Sequence, residues 1–389
     1  MPRRYGGRVR RGAVHERWQL FLDSPFFPAT VLVLILAAAA GFFAGSYTYA
    51  MADPTPHRIP TAVVATEPGS KAAVRQRSFI EGMERTLGAS LDLRPYDTYG
   101  RAREAVEDQR AFAVLRVRNA TSEDTGMRAD GAAGTTPGTG TGTGTGEGPL
   151  RDPGSGPVME LDIASASGAS VAEVLAKTAP EVGKRLGVPV RVEDIKPLQR
   201  GDPRGLALFY ISLAAVIVGF VGAIQMSVHA RALNPAERIA FTAGYALLGG
   251  FAITVVVDWL LDALDLPFVE SWLILALTMF SSGMVFSMFN AVMGRWAMIP
   301  TWGLMVLIGN PSSGGAVSWP LLPSLLGHIG RWLPPGASIN AQHSAVYFPG
   351  HQDLMPYLVL AGWALLSCAV FWIWRHRHPG GRPLEQPAR

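Results

Sequence analysis

The chain has 389 residues and a formal net charge of +4, but only 16% of its residues are charged and its mean hydropathy is +0.21. This balance is typical of a membrane protein, and it argues against a nucleic-acid-binding protein, which would carry a dense basic surface. The single cysteine, Cys368, excludes an intrachain disulfide.

The amino terminus is basic and then strongly apolar. Residues 1–24 contain six arginines against two acidic residues, and Trp18, Phe21 and Leu22 can share one helical face. This pattern predicts either an interfacial helix on the inner leaflet or an unstructured basic tail. Residues 25–50 are apolar for about the 20 residues that a transmembrane helix needs, and this run is too long for a cleaved signal peptide. We therefore expect a retained first span.

Residues 51–203 are polar and alternate between strand and helix patterns. The order β-α-β-α-β-β-α-β predicts a small α/β layer domain. Within it, residues 121–157 are rich in Gly and Thr and nearly free of large apolar residues, which predicts a flexible loop between the strands of a hairpin. The predicted strands are 58–66, 91–97, 111–117, 158–166 and 188–195, and the predicted helices are 75–88, 99–110 and 170–187.

Residues 204–375 contain five further apolar runs. These lie at 206–226, 239–261, 271–293, 296–309 and 354–374. Together with the first run they predict a multi-pass α-helical membrane protein with six transmembrane helices, arranged 1 + 5. The α/β domain is inserted between helices 1 and 2.

The distribution of charge predicts the orientation in the plasma membrane. Arginines concentrate in residues 1–24 and in the tail, 376–389, so both termini are expected in the cytoplasm. Equal sidedness of the ends requires an even number of spans, and six satisfies it. Residues 51–203 are then extracytoplasmic. The loop predicted to follow the third span is outside as well, and it holds acidic residues without a basic one.

The fifth run ends in a segment that cannot continue as a helix. It consists of Gly309, Asn310, Pro311, Ser312, Ser313, Gly314 and Gly315. Proline and glycine break helical structure, and the next apolar piece, 316–326, is too short to cross and contains two prolines. We expect 309–335 to be a re-entrant or interfacial element on the outer side. Residues 309–315 are then either a cavity or gate lining, or an ordinary turn at the membrane surface.

A second candidate site lies in the loop after the second span. Asn234 suits a helix N-cap, Pro235 the first helical position and Glu237 the return bond of a capping box. The pattern predicts a short capped helix on which a cytoplasmic partner docks, or simply the start of the third span.

Charged residues elsewhere predict no ion or metal pathway. Asp258, Asp262 and Asp265 have the spacing of one helical face, at the outer end of a span, and are expected to be solvated. His328, Arg331, His343 and His351 fall in the last outer loop with no metal-binding spacing. They are expected to be interfacial or solvated.

The motifs of common catalytic sites are missing from the sequence. There is no GxxxxGK[ST] phosphate-binding loop, no HExxH and no GxSxG. We therefore predict no catalytic residue, cofactor site or metal site. If the protein depends on ATP, a separate chain must bind it.

Several segments resemble a known family. They are AFAVLRV, LDIASASGASVAEVL, PLQRGDPRGL, IGNPSSGG and LLPSLLGHIGRWLPPGA. With the 1 + 5 layout, they resemble type-2 ABC exporter permeases that carry a large outer domain, and most closely the phage-infection-protein (Pip-like) group of membrane proteins. The long Gly/Thr tract departs from this family's pattern.

The resemblance implies roles for particular segments. Residues 14–24 would be a connecting helix on the inner leaflet, and 309–335 a pair of short re-entrant helices. Residues 229–238 would form the loop that couples to a separate ABC ATPase. Two permease chains, as a homo- or heterodimer, would form one pathway. The coupling residues are Arg231, Asn234, Pro235, Glu237 and Arg238.

The expected function is therefore the transmembrane subunit of an ABC-type exporter of a hydrophobic or amphipathic substrate. The alternative is a non-transporting envelope protein whose outer domain acts as a receptor or scaffold. The sequence alone does not separate the two.

Overall fold

The structure is a computed structural model. It describes residues 41, 45–50, 56–118, 158–230 and 233–378. Five predictions lie wholly or mostly outside the described residues: the basic segment 1–24, the first span 25–50, the loop 121–157, Arg231 and the tail 376–389.

A five-stranded sheet forms the first half of the described chain. Its strand order is β2-β1-β3-β4-β5, with β1 parallel to β2 and β3, β3 antiparallel to β4, and β4 parallel to β5. The antiparallel β3/β4 pair is the predicted hairpin. The strands are β1 (Ile59–Val64), β2 (Leu91–Tyr96), β3 (Ala113–Arg118), β4 (Val158–Ile163) and β5 (Val190–Asp194).

Three helices cover the sheet on two sides. They are α1 (Lys71–Leu87), α2 (Tyr99–Glu107) and α3 (Ala169–Leu186). Helices α1 and α3 bury their apolar side chains in one cluster, and α2 packs in a second cluster against the opposite face. Helix α1 begins earlier than predicted, because the Ser70 hydroxyl accepts the backbone N–H of Ala73 as an N-cap. We call residues 56–118 and 158–203 the sheet unit.

The second half of the described chain is helical and apolar. Its long helices are α4 (Ala207–His229), α5 (Pro235–Val255, extended by a π-helical turn to Leu260) and α6 (Phe268–Met293). Four helical stretches in the described residues are long and apolar enough to cross a membrane: Ala207–His229, Pro235–Leu260, Phe268–Ile308 and Met355–Arg377. The protein is thus membrane-embedded. Within its helical half, α6 packs against both α4 and α5.

The stretch Phe268–Ile308 is two segments rather than one rod. Its 41 residues would measure about 60 Å as a straight helix, twice the thickness of the hydrocarbon core. The break is at Gly294, whose φ of 58° lies in the left-handed region. Beyond it, Met305 and Val306 share a buried cluster with Phe286 of α6. The chain therefore folds back on α6, and the returning segment is the predicted fifth run.

The returning segment has its own short elements. A 3₁₀ turn, Gly294–Ala297, leads into α7 (Met298–Trp302) and a π-helical stretch, Gly303–Ile308. Ser46 donates its hydroxyl proton to the carbonyl oxygen of Leu307 at 2.5 Å. Because residues 45–50 are helical, this bond places the end of the first apolar run beside the end of the returning segment.

Short elements separate this segment from the last long helix. Residues 309–318 form turns and bends, and we call them the buried turn. After them come a 3₁₀ turn (Trp319–Leu321), α8 (Ser324–Gly330), α9 (Pro334–Tyr347) and α10 (Met355–Arg377). Helix α9 is buried along nearly its whole length and reaches 12 residues past the predicted re-entrant region.

One prediction about this half is wrong. Asp258, Asp262 and Asp265 do not share a helical face, because the helix ends at Leu260 and Asp262 has a left-handed φ of 48°. Instead the loop is tied back to the chain. The Asp258 carboxylate accepts the N–H of Leu266, and Asp265 exchanges two backbone hydrogen bonds with the Gln199 side chain.

Glycines allow α4 and α5 to approach α6 closely. A Cβ placed on Gly219 of α4 would lie 2.6 Å from the carbonyl oxygen of Met279. A Cβ on Gly250 of α5 would lie 2.7 Å from the backbone nitrogen of Ala276. Small residues at helix crossings are a common means of packing within membranes, because van der Waals contact is the main attraction there.

We predict that Gly219→Ala separates α4 from α6. The added methyl group meets backbone rather than a movable side chain, so the free energy of unfolding should fall by about 1–3 kcal/mol. Unfolding of the purified protein in detergent measures this change. Gly362→Ala is the matched control, since Gly362 lies within α10 with no atom within 4 Å of its added Cβ. Equal stability of the two variants would contradict the close packing.

Candidate functional site

A cavity of about 1070 Å³ lies between the sheet unit and the membrane helices. This is at the upper end of the size range for small-molecule sites. One wall comes from the residues after α2 and from the start of α3. The others come from the start of α4, the buried turn, the α8–α9 junction and the start of α10. The cavity thus brings together six parts of the chain between Pro60 and Val359.

The structure divides the predicted gate segment into two parts. Ser312, Ser313, Gly314 and Gly315 line the cavity. Gly309, Asn310 and Pro311 do not line it and are buried. The irregular backbone expected from the sequence is present, and it is enclosed by protein, as backbone at membrane depth requires. Whether it gates a pathway remains a prediction.

Asn310 occupies an unusual position in this segment. Its side chain is 2% exposed, and within the described ranges neither polar atom of its amide has a hydrogen-bond partner. The Tyr47 phenol is near enough to interact with it. A buried amide is costly unless paired, so this residue is sensitive to how the first apolar run packs.

Backbone packs directly on backbone where the buried turn meets α8. A Cβ on Gly330 would lie 1.6 Å from the carbonyl oxygen of Ser312, and one on Gly336 would lie 2.1 Å from the carbonyl oxygen of Gly330. Gly315 is also closely surrounded, in this case by the side chains of Phe209 and Ile339. The path of the buried turn therefore depends on three glycines.

The far end of this region is part of the sheet unit's core. Leu321 is 1% exposed and belongs to the apolar cluster of α1 and α3. The His57 N–H donates to the carbonyl oxygen of Pro320 at 2.7 Å, and the Ser318 N–H donates to the Ser170 hydroxyl at 2.9 Å. Residues 309–322 therefore link the membrane helices to the sheet unit.

Residues after α2 make a second link. Gln109 donates from its amide to the Ser344 hydroxyl of α9 at 2.8 Å, and Asp108 contacts Nδ1 of His351 at 2.7 Å. Burial raises the pKa of Asp108, but hydrogen bonds from His351 and Arg110 outweigh it, so the pKa is lowered. Gln109 has a left-handed φ of 58°. Strained backbone at a contact of this kind is maintained by its surroundings.

The prediction for the last outer loop is wrong for His343. This residue lies within α9 and lines the cavity, where burial lowers the pKa of its imidazole to about 4. The ring is therefore neutral at pH 7. His328, Arg331 and His351 are exposed, as expected for solvated residues. Sequence pattern carries no signal that separates His343 from them.

The second candidate site lies at the other end of α4. The capping box is present, with the Asn234 N–H donating to Glu237 at 2.8 Å and Pro235 in the first turn. It begins α5 directly, so the residues start the third predicted span rather than a separate helix. Arg238 donates to the carbonyl oxygen of Met226 and ties the ends of α4 and α5 together. The 23-residue helix α4 places this site about 30 Å from the cavity.

The sheet also carries a buried charge network that was not predicted from the sequence. Glu160 and Asp162 are each 1% exposed, and together with Glu193 they form the group of carboxylates in the described residues that approaches metal-binding spacing. Arg116 pairs with Glu160 at 2.8 Å and lies 3.6 Å from Asp162. Burial raises the pKa of Asp162. Because Arg116 and Arg118 both pair with these buried carboxylates, the geometry favours a structural ion-pair network.

The register of β3 and β4 explains this network. Arg116 is directly opposite Glu160 in the antiparallel pair. The alternation of arginines in AVLRVR and of acids in VMELDI was the available signal, since paired strands place such residues on one face.

Comparisons with known proteins add no relative. No protein-family model, no curated protein and no solved structure matches the chain. The class defined by the structure is therefore a helical membrane protein that also carries a five-stranded, helix-covered sheet.

We predict that Gly330→Ala disrupts the buried turn. The new methyl group would overlap the Ser312 carbonyl oxygen, so the free energy of unfolding should fall by about 3 kcal/mol or more. Thermal unfolding and limited proteolysis within 309–318 report the change. Gly350→Ala is the control, because its added Cβ has no atom within 4 Å. Wild-type stability of Gly330→Ala would show that the close contact is not maintained.

We also predict a pH dependence caused by His343. Its folded pKa of about 4 lies below the ordinary value of 6.5. The unfolded chain therefore takes up a proton first as the pH falls, and stability present above pH 6.5 is lost between pH 6.5 and 4. His343→Gln should remove roughly 5 °C of the fall in melting temperature over that range. The exposed His328→Gln serves as control, and parallel profiles for wild type and His343→Gln would contradict the prediction.

Proposed function

We propose that the chain is the transmembrane subunit of an ABC-type exporter, powered by a separate ATPase. The observation that carries this proposal is the buried turn. Its irregular backbone is enclosed among membrane helices at one end, lines a large cavity along its middle and leads into the sheet unit's core. Broken helical structure at membrane depth, beside a cavity, is typical of proteins that move a solute.

The proposal includes six spans. The four apolar stretches become five segments when Phe268–Ile308 is divided at Gly294, and residues 25–50 supply the sixth. The termini are then cytoplasmic and the sheet unit is extracytoplasmic. Arg238 and Arg375 lie close enough for their charges to interact. This grouping of arginines at one end of the bundle supports that end as the inner one.

Coupling to the ATPase would occur at residues 229–238. The capping box and the bond from Arg238 to α4 make this corner a well-supported contact surface. A force applied there would reach the cavity through α4, because the start of α4 contributes to the cavity wall. ATP would bind in the partner subunit, no cofactor is proposed for this chain, and two permease chains, identical or different, would form the pathway.

The alternative is an envelope receptor or scaffold that transports nothing. It is favoured by the number of polar bonds that attach the sheet unit to the outer elements, such as Gln109 to Ser344 and Ser318 to Ser170. A firmly held outer unit suits the display of a binding surface as well as it suits a transport cycle.

Capture of an ATPase separates the two functions. We expect affinity-tagged, full-length protein to retain an ABC ATPase from its own membranes, and Ala236→Trp to abolish this, because Ala236 is exposed within the capped turn. Val269→Trp is the matched control, being 62% exposed at the start of α6. If neither the wild-type protein nor Ala236→Trp retains an ATPase, the receptor alternative is favoured.

The single cysteine permits a direct test of orientation. In a Cys368→Ser background, Lys177→Cys on the exposed side of α3 should react with a membrane-impermeant maleimide in intact cells. Ala236→Cys should react only after permeabilisation. Labelling of both positions, or of Ala236→Cys alone, in intact cells would contradict the proposed topology.

A further inference from the structure

We propose that the cavity binds an anionic amphiphile, with its acidic headgroup at Arg204 and Arg331 and its hydrocarbon chain along the aromatic and aliphatic wall. The inference rests on the proposed function in one respect: if the chain is an exporter, the anionic amphiphile is the substrate class that it exports. The binding itself requires no transport, so the two can fail separately.

The carboxylates of the cavity are already engaged. Glu173 pairs with Lys177 at 2.6 Å, and Asp353 accepts the backbone N–H of Met355 at 3.0 Å at the start of α10. Asp108 is held by His351 and Arg110, as described above. Glu173 and Asp108 are therefore paired with cationic groups, Asp353 is used at the start of α10, and His343 is neutral because of its lowered pKa.

The four arginines that line the cavity differ in whether they pair with a carboxylate. Arg94 and Arg110 pair with Asp92 and Asp108. For Arg204 and Arg331, the described part of the chain shows no carboxylate within 4.0 Å. Both are exposed and line the cavity, which places them at its opening. A guanidinium that is not paired with a carboxylate of the protein binds phosphate or carboxylate oxygens well, often through two parallel hydrogen bonds.

The apolar wall is continuous with the cationic one. The Arg331 guanidinium lies 5.6 Å from the ring centre of Trp319, and Trp319 stacks edge-to-face on Phe112 at 5.7 Å. Phe209 and Ile339 close the wall around Gly315. A ligand with its acidic group at Arg331 would therefore extend over aromatic and aliphatic side chains. That arrangement matches a molecule with one charged end and one apolar end.

The position in the fold suits a molecule that arrives from the bilayer. Met355, Pro356 and Val359 bring the first turns of α10 to the cavity, and α10 is one of the stretches long enough to span. Met355 is 44% exposed, so the wall continues onto the outer surface of the helices. The shared chemistry fits either a two-chain acidic phospholipid of the membrane or a free single-chain acidic amphiphile.

Binding can be measured on the purified full-length protein in an uncharged maltoside detergent. Dodecyl phosphate carries both recognised features, dodecylphosphocholine has the same chain without net negative charge, and inorganic phosphate has the charge without the chain. We expect dodecyl phosphate to quench tryptophan fluorescence saturably. The other two probes should bind at least about tenfold more weakly, since each lacks one set of contacts.

Variants assign the binding to the cavity. Arg204→Gln and Arg331→Gln should each weaken dodecyl phosphate binding about fivefold, and the double variant more than either. Arg200→Gln is the matched control, because Arg200 is exposed on the same linker but does not line the cavity. Ala316→Trp should block binding by filling the cavity. Melting curves would show whether each variant is folded, and Arg204→Lys and Arg331→Lys, which keep the charge, should restore part of the affinity.

The outcomes separate the sources and the two proposals. Displacement of dodecyl phosphate by phosphatidylglycerol in mixed micelles would identify a membrane lipid, whereas displacement only by single-chain competitors would identify a free amphiphile. Equal binding of dodecylphosphocholine, or indifference to both arginine substitutions, would overturn the inference. Binding with the expected pattern but without a recovered ATPase would support the site and contradict the exporter.

Discussion

The structure depends on a close contact between two stretches of backbone, Ser312 against Gly330. Polar backbone that leaves a helix at membrane depth must be enclosed by protein or water. Here the enclosure is achieved by glycines that let carbonyl and Cα meet without an intervening side chain. The turn, the short helices α8 and α9 and the cavity beside them all follow from this arrangement.

The same region connects the two halves of the molecule. Leu321 completes the apolar core of the sheet unit, while Gly309, 12 residues earlier, directly follows the returning segment and lies close to Pro335 of α9. A core is densely packed and transmits displacement rather than absorbing it. Motion of the sheet unit relative to the helices would therefore be transmitted through residues 309–322 as well as through the bond between Gln109 and Ser344, whether the protein transports a solute or displays an outer surface.

Electrostatics in the cavity follow a related principle. Of the three carboxylates that line the cavity, Asp108 helps to hold the parts together through His351, whereas Arg204 and Arg331 at the opening are the groups proposed to receive a ligand. Structural pairing inside the protein thus determines which charges remain available to a partner. In the network of Arg116 with Glu160 and Asp162, by contrast, the carboxylates are buried and paired with an arginine of the neighbouring strand.

Sequence by itself determined the local structure. Strand alternation, the Asn234 cap and the helix-breaking glycines and proline of 309–315 act over a few residues and were predicted correctly, whereas the Ser70 cap was not recognised. Only the tertiary structure decided which distant residues meet. The place of His343 in the cavity wall, the separation of Asp262 from its expected helix and the presence of Arg204 and Arg331 on one cavity depend on contacts across more than 100 residues or on loop closure, which no local pattern encodes.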